Sequence, residues 1–95
     1  MANQKNNIFM HKTLIDLANT HLRQADEKRL KADPSWRDSY DTAYKVAFDA
    51  YRRLTSICRR DKSPIFKKYL EQTRGRLVQI HDAYARLIDN MVFGN

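Results

Sequence analysis

The stretch WRDSYDTAYKVAFDAYRRLTSI, residues 36–57, decides the fold because its apolar side chains recur at alternating steps of four and three. This spacing is typical of an α-helix that packs nearly parallel to its neighbours in a bundle. The repeating positions are Trp36, Tyr40, Ala43, Ala47, Ala50, Leu54 and Ile57. Further apolar residues, among them Tyr44, Val46 and Phe48, widen the apolar surface to an arc of roughly 200°. An arc of that width predicts a central helix that contacts two others.

Two prolines mark where the second and third predicted helices begin. Asp33-Pro34 and Ser63-Pro64 each place a capping side chain before a proline, which is tolerated in the first turn of a helix. Apolar residues also recur at helical spacing before Asp33 and after Pro64. The predicted helices span approximately residues 8–31, 34–62 and 64–91.

The short connections between these helices force neighbouring helices to run antiparallel. We therefore predict an all-α fold, an antiparallel up-down-up three-helix bundle that forms a single domain over residues 8–92. Residues 1–7 and 93–95 are predicted to be flexible termini.

Two local features leave alternatives open. Thr13 and Asp16 form a capping-box pair, so Thr13 is an alternative start for helix 1. Gly75 lies inside helix 3, where glycine costs about 1 kcal/mol relative to alanine. It marks a kink, a split of the helix in two, or a place where another backbone approaches closely.

The overall composition describes a soluble globular protein. Apolar residues make up 42% of the chain, too many for intrinsic disorder, and no apolar run approaches the ~20 residues that span a bilayer. The N-terminal MANQKNNIFMHK has no apolar run of signal-peptide length, and Cys58 is the single cysteine. We therefore expect a cytoplasmic protein without a disulfide.

The excess positive charge is concentrated in residues 52–76. This segment holds nine Lys or Arg residues against Asp61 and Glu71, so it carries the whole net charge of +7. Such an asymmetry points to an anionic partner. The predicted phosphate-binding or acidic-partner-binding residues are Arg52, Arg53, Arg59, Arg60, Lys62, Ser63, Lys67, Lys68, Arg74 and Arg76.

Lys67 and Lys68 follow the start of helix 3, where the helix dipole prefers acidic residues. Together with Ser63 and the free N–H groups of the helix N-terminus, they predict an anion site with phosphate as the natural ligand. A solvated basic surface without a ligand is the alternative interpretation.

Aromatic residues accompany the charge. Tyr51 and Tyr69 are candidates for stacking on unpaired bases. The apolar arc of the central helix favours core packing for Tyr44 and Phe48, and the alternative is that they anchor a partner protein or a second copy of the chain.

Catalytic chemistry is not indicated. The three histidines lack metal-ligand spacing, Gly75 and Gly94 cannot form a nucleotide-binding loop, and no acid–base pair is recognisable. We expect no enzyme, no cofactor and no metal.

Two function hypotheses follow. In the first, the protein binds nucleic acid or a ribonucleoprotein through phosphate contacts at the helix 2–helix 3 corner. In the second, it is a small inhibitor or adaptor, of the kind that phages direct at host nucleic-acid-handling or defence complexes. It would then dock on an acidic protein surface through the basic corner and exposed aromatic residues. A small anionic ligand is a third alternative.

Overall fold

The structure is a computed structural model that describes residues 2–92, and it contains three α-helices. Helix α1 spans Ala2–Leu30, α2 spans Trp36–Arg60, and α3 spans Pro64–Val92. α2 lies in the middle and packs against both other helices. The predicted all-α, up-down-up three-helix bundle is confirmed, with the helix of the wide apolar arc at its centre.

Helix α1 is longer than predicted because its first turns are tied to the rest of the fold. The side chain of Ile8 packs on a core cluster formed by α2 and α3, and Gln4 Nε2 donates to Ser63 Oγ at 3.3 Å. The start near residue 8 was therefore wrong, although the flexibility of residues 1–7 stays a prediction. The predicted flexible residues 93–95 lie outside the described residues.

Thr13 does not begin a helix. It lies inside α1, and its hydroxyl donates to the carbonyl oxygen of Phe9 at 2.9 Å. This i to i−4 bond is the one a threonine makes within a helix, so the alternative start was wrong.

The turn between α1 and α2 ends one helix and begins the next within a few residues. The N–H of Asp33 donates to the carbonyl of Lys28 and the N–H of Ala32 to that of Arg29, which is the Schellman pattern of a helix C-terminus. Ala32 accordingly has a left-handed backbone with φ 58°. Asp33 Oδ1 then accepts the N–H and hydroxyl of Ser35, and these bonds hold the pKa of Asp33 below its usual value. Helix α2 therefore begins two residues after the predicted proline.

The core is built from small residues between α1 and α2 and from larger ones toward α3. Ala18 and Ala25 of α1 are fully buried, as are Ala43, Ala47 and Ala50 of α2. Alanines at a helix contact let two backbones approach closely. Toward α3, buried Leu77, Ile80 and Phe66 fill the space.

Gly75 interrupts nothing. Helix α3 continues from Pro64 to Val92, so the predicted split was wrong. A Cβ atom added at Gly75 would meet no atom within 4 Å, so no other part of the described chain approaches it closely. The kink stays a prediction.

Candidate functional site

The predicted cations gather at one end of the molecule. Along α3 they extend about 18 Å from the helix start to Arg76, and along α2 they occupy the last turns. The molecule is 53 Å long, so these residues fill about a third of it. The N-terminus of α1 lies at the same end, as the bond between Gln4 and Ser63 shows. We call this region the basic end, formed by Arg52, Arg53, Arg59, Arg60, Lys62, Lys67, Lys68, Arg74 and Arg76.

Most of these cations are free of carboxylate partners. Eight are exposed, and Arg76 is half-buried. Arg53 forms an ion pair with Asp49, with its Nε 3.0 Å from Oδ2. Among the described residues, no other cation of the basic end has a carboxylate within ion-pair distance. The positive potential of the basic end is therefore mostly unneutralised.

The two arginine pairs of α2 point to different sides of the helix, about 100° apart. Arg53 and Arg60 line a groove between α1 and α2, whose α1 wall includes Asn7 and Met10. Arg52 and Arg59 each precede a member of that pair by one residue and are exposed, so they lie about 100° further round α2, on its outward side. The basic end is thus divided around the bundle axis.

One contact between α2 and α3 fixes how the remaining cations are placed. The rings of Tyr44 and His81 lie 6.4 Å apart across the interface. Because α2 and α3 are antiparallel, one heptad toward the turn brings Tyr51 opposite Arg74. A second heptad brings Cys58 opposite Lys67.

Lys67 and Arg74 therefore share the flank of α3 that faces α2, and Arg52 and Arg59 directly follow Tyr51 and Cys58 on the exposed outward side of α2. We call this surface the α2–α3 basic face and define it by these four cations. Successive cations on each helix are seven residues apart, or about 10 Å along the axis. Lys62 lies in the turn at the end of this face, and Lys68 lies on the outer side of α3.

Three of the predicted aromatic residues form a row beside the α2–α3 basic face. The ring of Phe48 lies 6.3 Å from Tyr44 at an interplanar angle of 16° and 6.4 Å from Tyr51 at 34°. Phe48 is 43% exposed, whereas Tyr44 and Tyr51 are half-buried. We call Tyr44, Phe48 and Tyr51 the aromatic row.

Tyr69 is separated from the aromatic row. Its ring stacks on His11 at 5.5 Å and 29°, in the contact between α1 and α3. Arg76 also faces α1, where its Nη2 donates to Asn19 Oδ1 at 2.7 Å. The structure therefore does not bring Tyr69 and Arg76 together with the α2–α3 basic face.

Ser63 is already bonded within the turn. Its hydroxyl donates to Asp61 Oδ1, and its backbone N–H donates to the same oxygen at 2.9 Å. These bonds, the hydroxyl bond first, hold the pKa of Asp61 below its usual value. The hydroxyl proton of Ser63 is thus directed to Asp61, and its binding to phosphate stays a prediction.

Sequence reasoning missed the polar contact between α1 and α3. His11 is only 8% exposed, and its Nε2 lies 3.1 Å from the hydroxyl of Thr73. These residues and Arg76 line a groove of about 360 Å³. The available signal was spacing, because His11 precedes the buried Ala18 by one heptad.

Neither a metal-ion site nor a membrane span is found within residues 2–92. No group of three His, Cys, Asp or Glu side chains within residues 2–92 is placed to hold a metal ion. None of the three helices combines the length and apolar character that crossing a bilayer requires.

The chain matches no protein-family model, and no curated protein and no solved structure is significantly similar to it.

Proposed function

We propose that this protein is a non-enzymatic nucleic-acid-binding protein that contacts phosphates, free or within a ribonucleoprotein, through its basic end. The observation that carries the proposal is the α2–α3 basic face. Four exposed cations from two helices line one surface, and none has a carboxylate partner among the described residues. These four cations belong to the segment of residues 52–76, which carries the whole net charge of the chain, and solubility alone does not require such a concentration.

The cations suit a phosphate backbone. Three of the four on this face are arginines, whose planar guanidinium group donates two parallel hydrogen bonds to a phosphate. Such contacts read no bases, so binding is sequence-independent. Each contact releases counterions, which makes affinity fall steeply with salt.

A salt titration tests the proposal. Fluorescence anisotropy is measured with a labelled DNA or RNA of mixed sequence at several salt concentrations. Four phosphate contacts predict a slope of about −3 in a plot of log K against log salt. Absence of binding at about 50 mM salt would overturn the proposal.

A charge-matched pair of variants locates the contacts. Arg52→Gln/Arg59→Gln removes two cations of the α2–α3 basic face, and the slope should become shallower by about 1.5. Arg29→Gln/Arg86→Gln removes two exposed arginines elsewhere on the bundle and should leave the slope nearly unchanged. Equal effects of the two variants would show that net charge, and not this face, governs binding.

The second candidate is a small inhibitor or adaptor that docks on an acidic protein surface. The observation that favours it is apolar exposure beside the cations, since Val78 follows Arg74 by four residues and is 55% exposed. Together with the exposed Phe48 of α2, it would give a partner protein an apolar anchor. Binding to polyglutamate at a salt concentration where nucleic acid does not bind would favour this candidate. Sedimentation velocity tests the related proposal of a homodimer.

A further inference from the structure

We infer that the nucleic acid bound by this protein is single-stranded, with its bases stacked on the aromatic row and its phosphates on the α2–α3 basic face. The inference rests on the proposed function and names its ligand class. Its basis is the position of Phe48, an exposed aromatic ring between two others on the surface that also carries the free cations.

Phe48 is held in place by its neighbours. Tyr44 and Tyr51 lie within aromatic contact on either side of it, and their own rings are half-buried. Nearly half of the Phe48 side chain nevertheless faces solvent. Sequence alone could not decide whether this ring is exposed or packed in the core. A fixed and exposed ring is a stacking platform for any base, because every base has a flat π surface. Bases inside a duplex are already stacked and cannot use it.

The aromatic row continues into the cations. Arg52 follows Phe48 by one helical turn, and Arg74 lies opposite Tyr51 across the interface. From Tyr44 to Arg59 the track extends about 22 Å along α2, the length of about six stacked nucleotides. A strand on this track has phosphates near arginines and bases near rings.

The unpaired cations lie toward one end of the track. Beyond Tyr44 the next exposed charged residue on α2 is Asp41, which forms an ion pair with Lys45 at 2.9 Å. The opposite end runs toward Lys62 and the turn. A strand therefore gains unpaired cations toward the turn, whereas Lys45, one heptad before Arg52, is already paired with a carboxylate.

The test compares two forms of one sequence. Anisotropy is measured with a labelled 12-nucleotide strand, as DNA and as RNA, and with the blunt DNA duplex of the same length, at one salt concentration. Phe48→Ala should weaken binding of the single strands about tenfold, as expected for losing one stacked base. The same variant should change duplex binding by less than about twofold, because duplex contacts involve only phosphates.

Two further variants protect the test against a folding artefact. Phe48→Trp keeps a ring at this position, so single-strand affinity should be retained and the added tryptophan emission should be quenched on binding. Phe9→Ala is the matched control, because Phe9 is 72% exposed on the outer side of α1 and lies off the track. It should alter neither affinity. Circular dichroism verifies that each variant is helical.

The outcomes separate the inference from the proposed function. If Phe48→Ala binds single strands as tightly as the unmodified chain, the stacking inference is overturned while salt-dependent phosphate binding stands. If the unmodified chain binds neither form, the proposed function fails, and the inference fails with it.

Discussion

Acidification should destabilise this bundle through His11. The hydroxyl of Thr73 has one hydrogen, which it donates to the carbonyl of Tyr69 at 2.7 Å. Its oxygen can therefore only accept from His11, so the proton of the neutral imidazole lies on Nε2. Nδ1 is then an unprotonated, buried atom with no hydrogen-bond partner among the described residues. Protonating it places a charge in the core without an acceptor, and burial accordingly lowers the pKa of His11.

The sign of the effect follows from this lowered pKa. The unfolded chain binds a proton at His11 below its ordinary pKa of about 6.5, whereas the native protein does not until a lower pH. The stabilisation from neutral His11 is therefore complete above pH 6.5 and is lost as the pH falls below it. When the unfolded chain binds one proton more than the native protein, each drop of one pH unit lowers the free energy of unfolding by at most about 1.4 kcal/mol. The loss continues until the pH reaches the lowered pKa of native His11, below which the difference in bound protons disappears.

Urea unfolding at pH 7.5 and pH 5, followed by circular dichroism, measures this loss. His11→Gln is the decisive variant, because its amide nitrogen can still donate to Thr73 but does not titrate. It should lose much less stability between the two pH values, whereas His21→Gln should behave like the unmodified chain. Asp33 and Asp61 do not interfere, since their lowered pKa values place their effect below pH 4. If His11→Gln and the unmodified chain lose equal stability, the deduced tautomer and its orphaned nitrogen are wrong.

Three further substitutions test the backbone and the charge placement. Gly75→Ala should raise the free energy of unfolding by about 0.5–1 kcal/mol in urea denaturation, because the site is helical and open; a loss of stability would reveal a contact at this position. Ala32→Gly should also stabilise, by about 1 kcal/mol, since φ is 58° there and glycine adopts this conformation without strain. A lower denaturation midpoint for this variant would contradict the left-handed assignment. Lys67→Glu/Lys68→Glu should abolish nucleic-acid binding in the anisotropy assay while leaving the fold slightly more stable, by a few tenths of a kcal/mol, through the helix dipole. Retained binding at about 50 mM salt would remove Lys67 from the proposed interface.

The fold was predictable where periodicity is regular and capping signals are clear. The central helix follows a strict four-and-three repeat, and the third helix begins at the predicted Pro64. The first helix was harder because its N-terminal turns have no capping signal and carry polar residues. Those turns are held by tertiary contacts, such as the packing of Ile8 on the core cluster that includes Phe66. Local helix propensity cannot predict contacts of this kind.

The site was predictable in composition but not in geometry. Seven-residue spacing places Arg52 with Arg59 and Lys67 with Arg74 on common flanks of their own helices. It does not say which flank of α2 faces which neighbour, because that depends on how the bundle is wound.

A single tertiary contact supplies what periodicity lacks. Once Tyr44 is known to meet His81, every heptad of α2 and α3 is in register, and Arg74 must lie beside Tyr51. The same contact leaves Phe48 on the outer edge of the interface, where no third helix covers it. An aromatic residue that belonged to the core would occupy a position such as 47, where Ala47 is buried. The exposed ring and the unpaired cations thus lie on one surface because of the winding of the bundle, and this coincidence is what makes the surface suited to a flexible, charged strand.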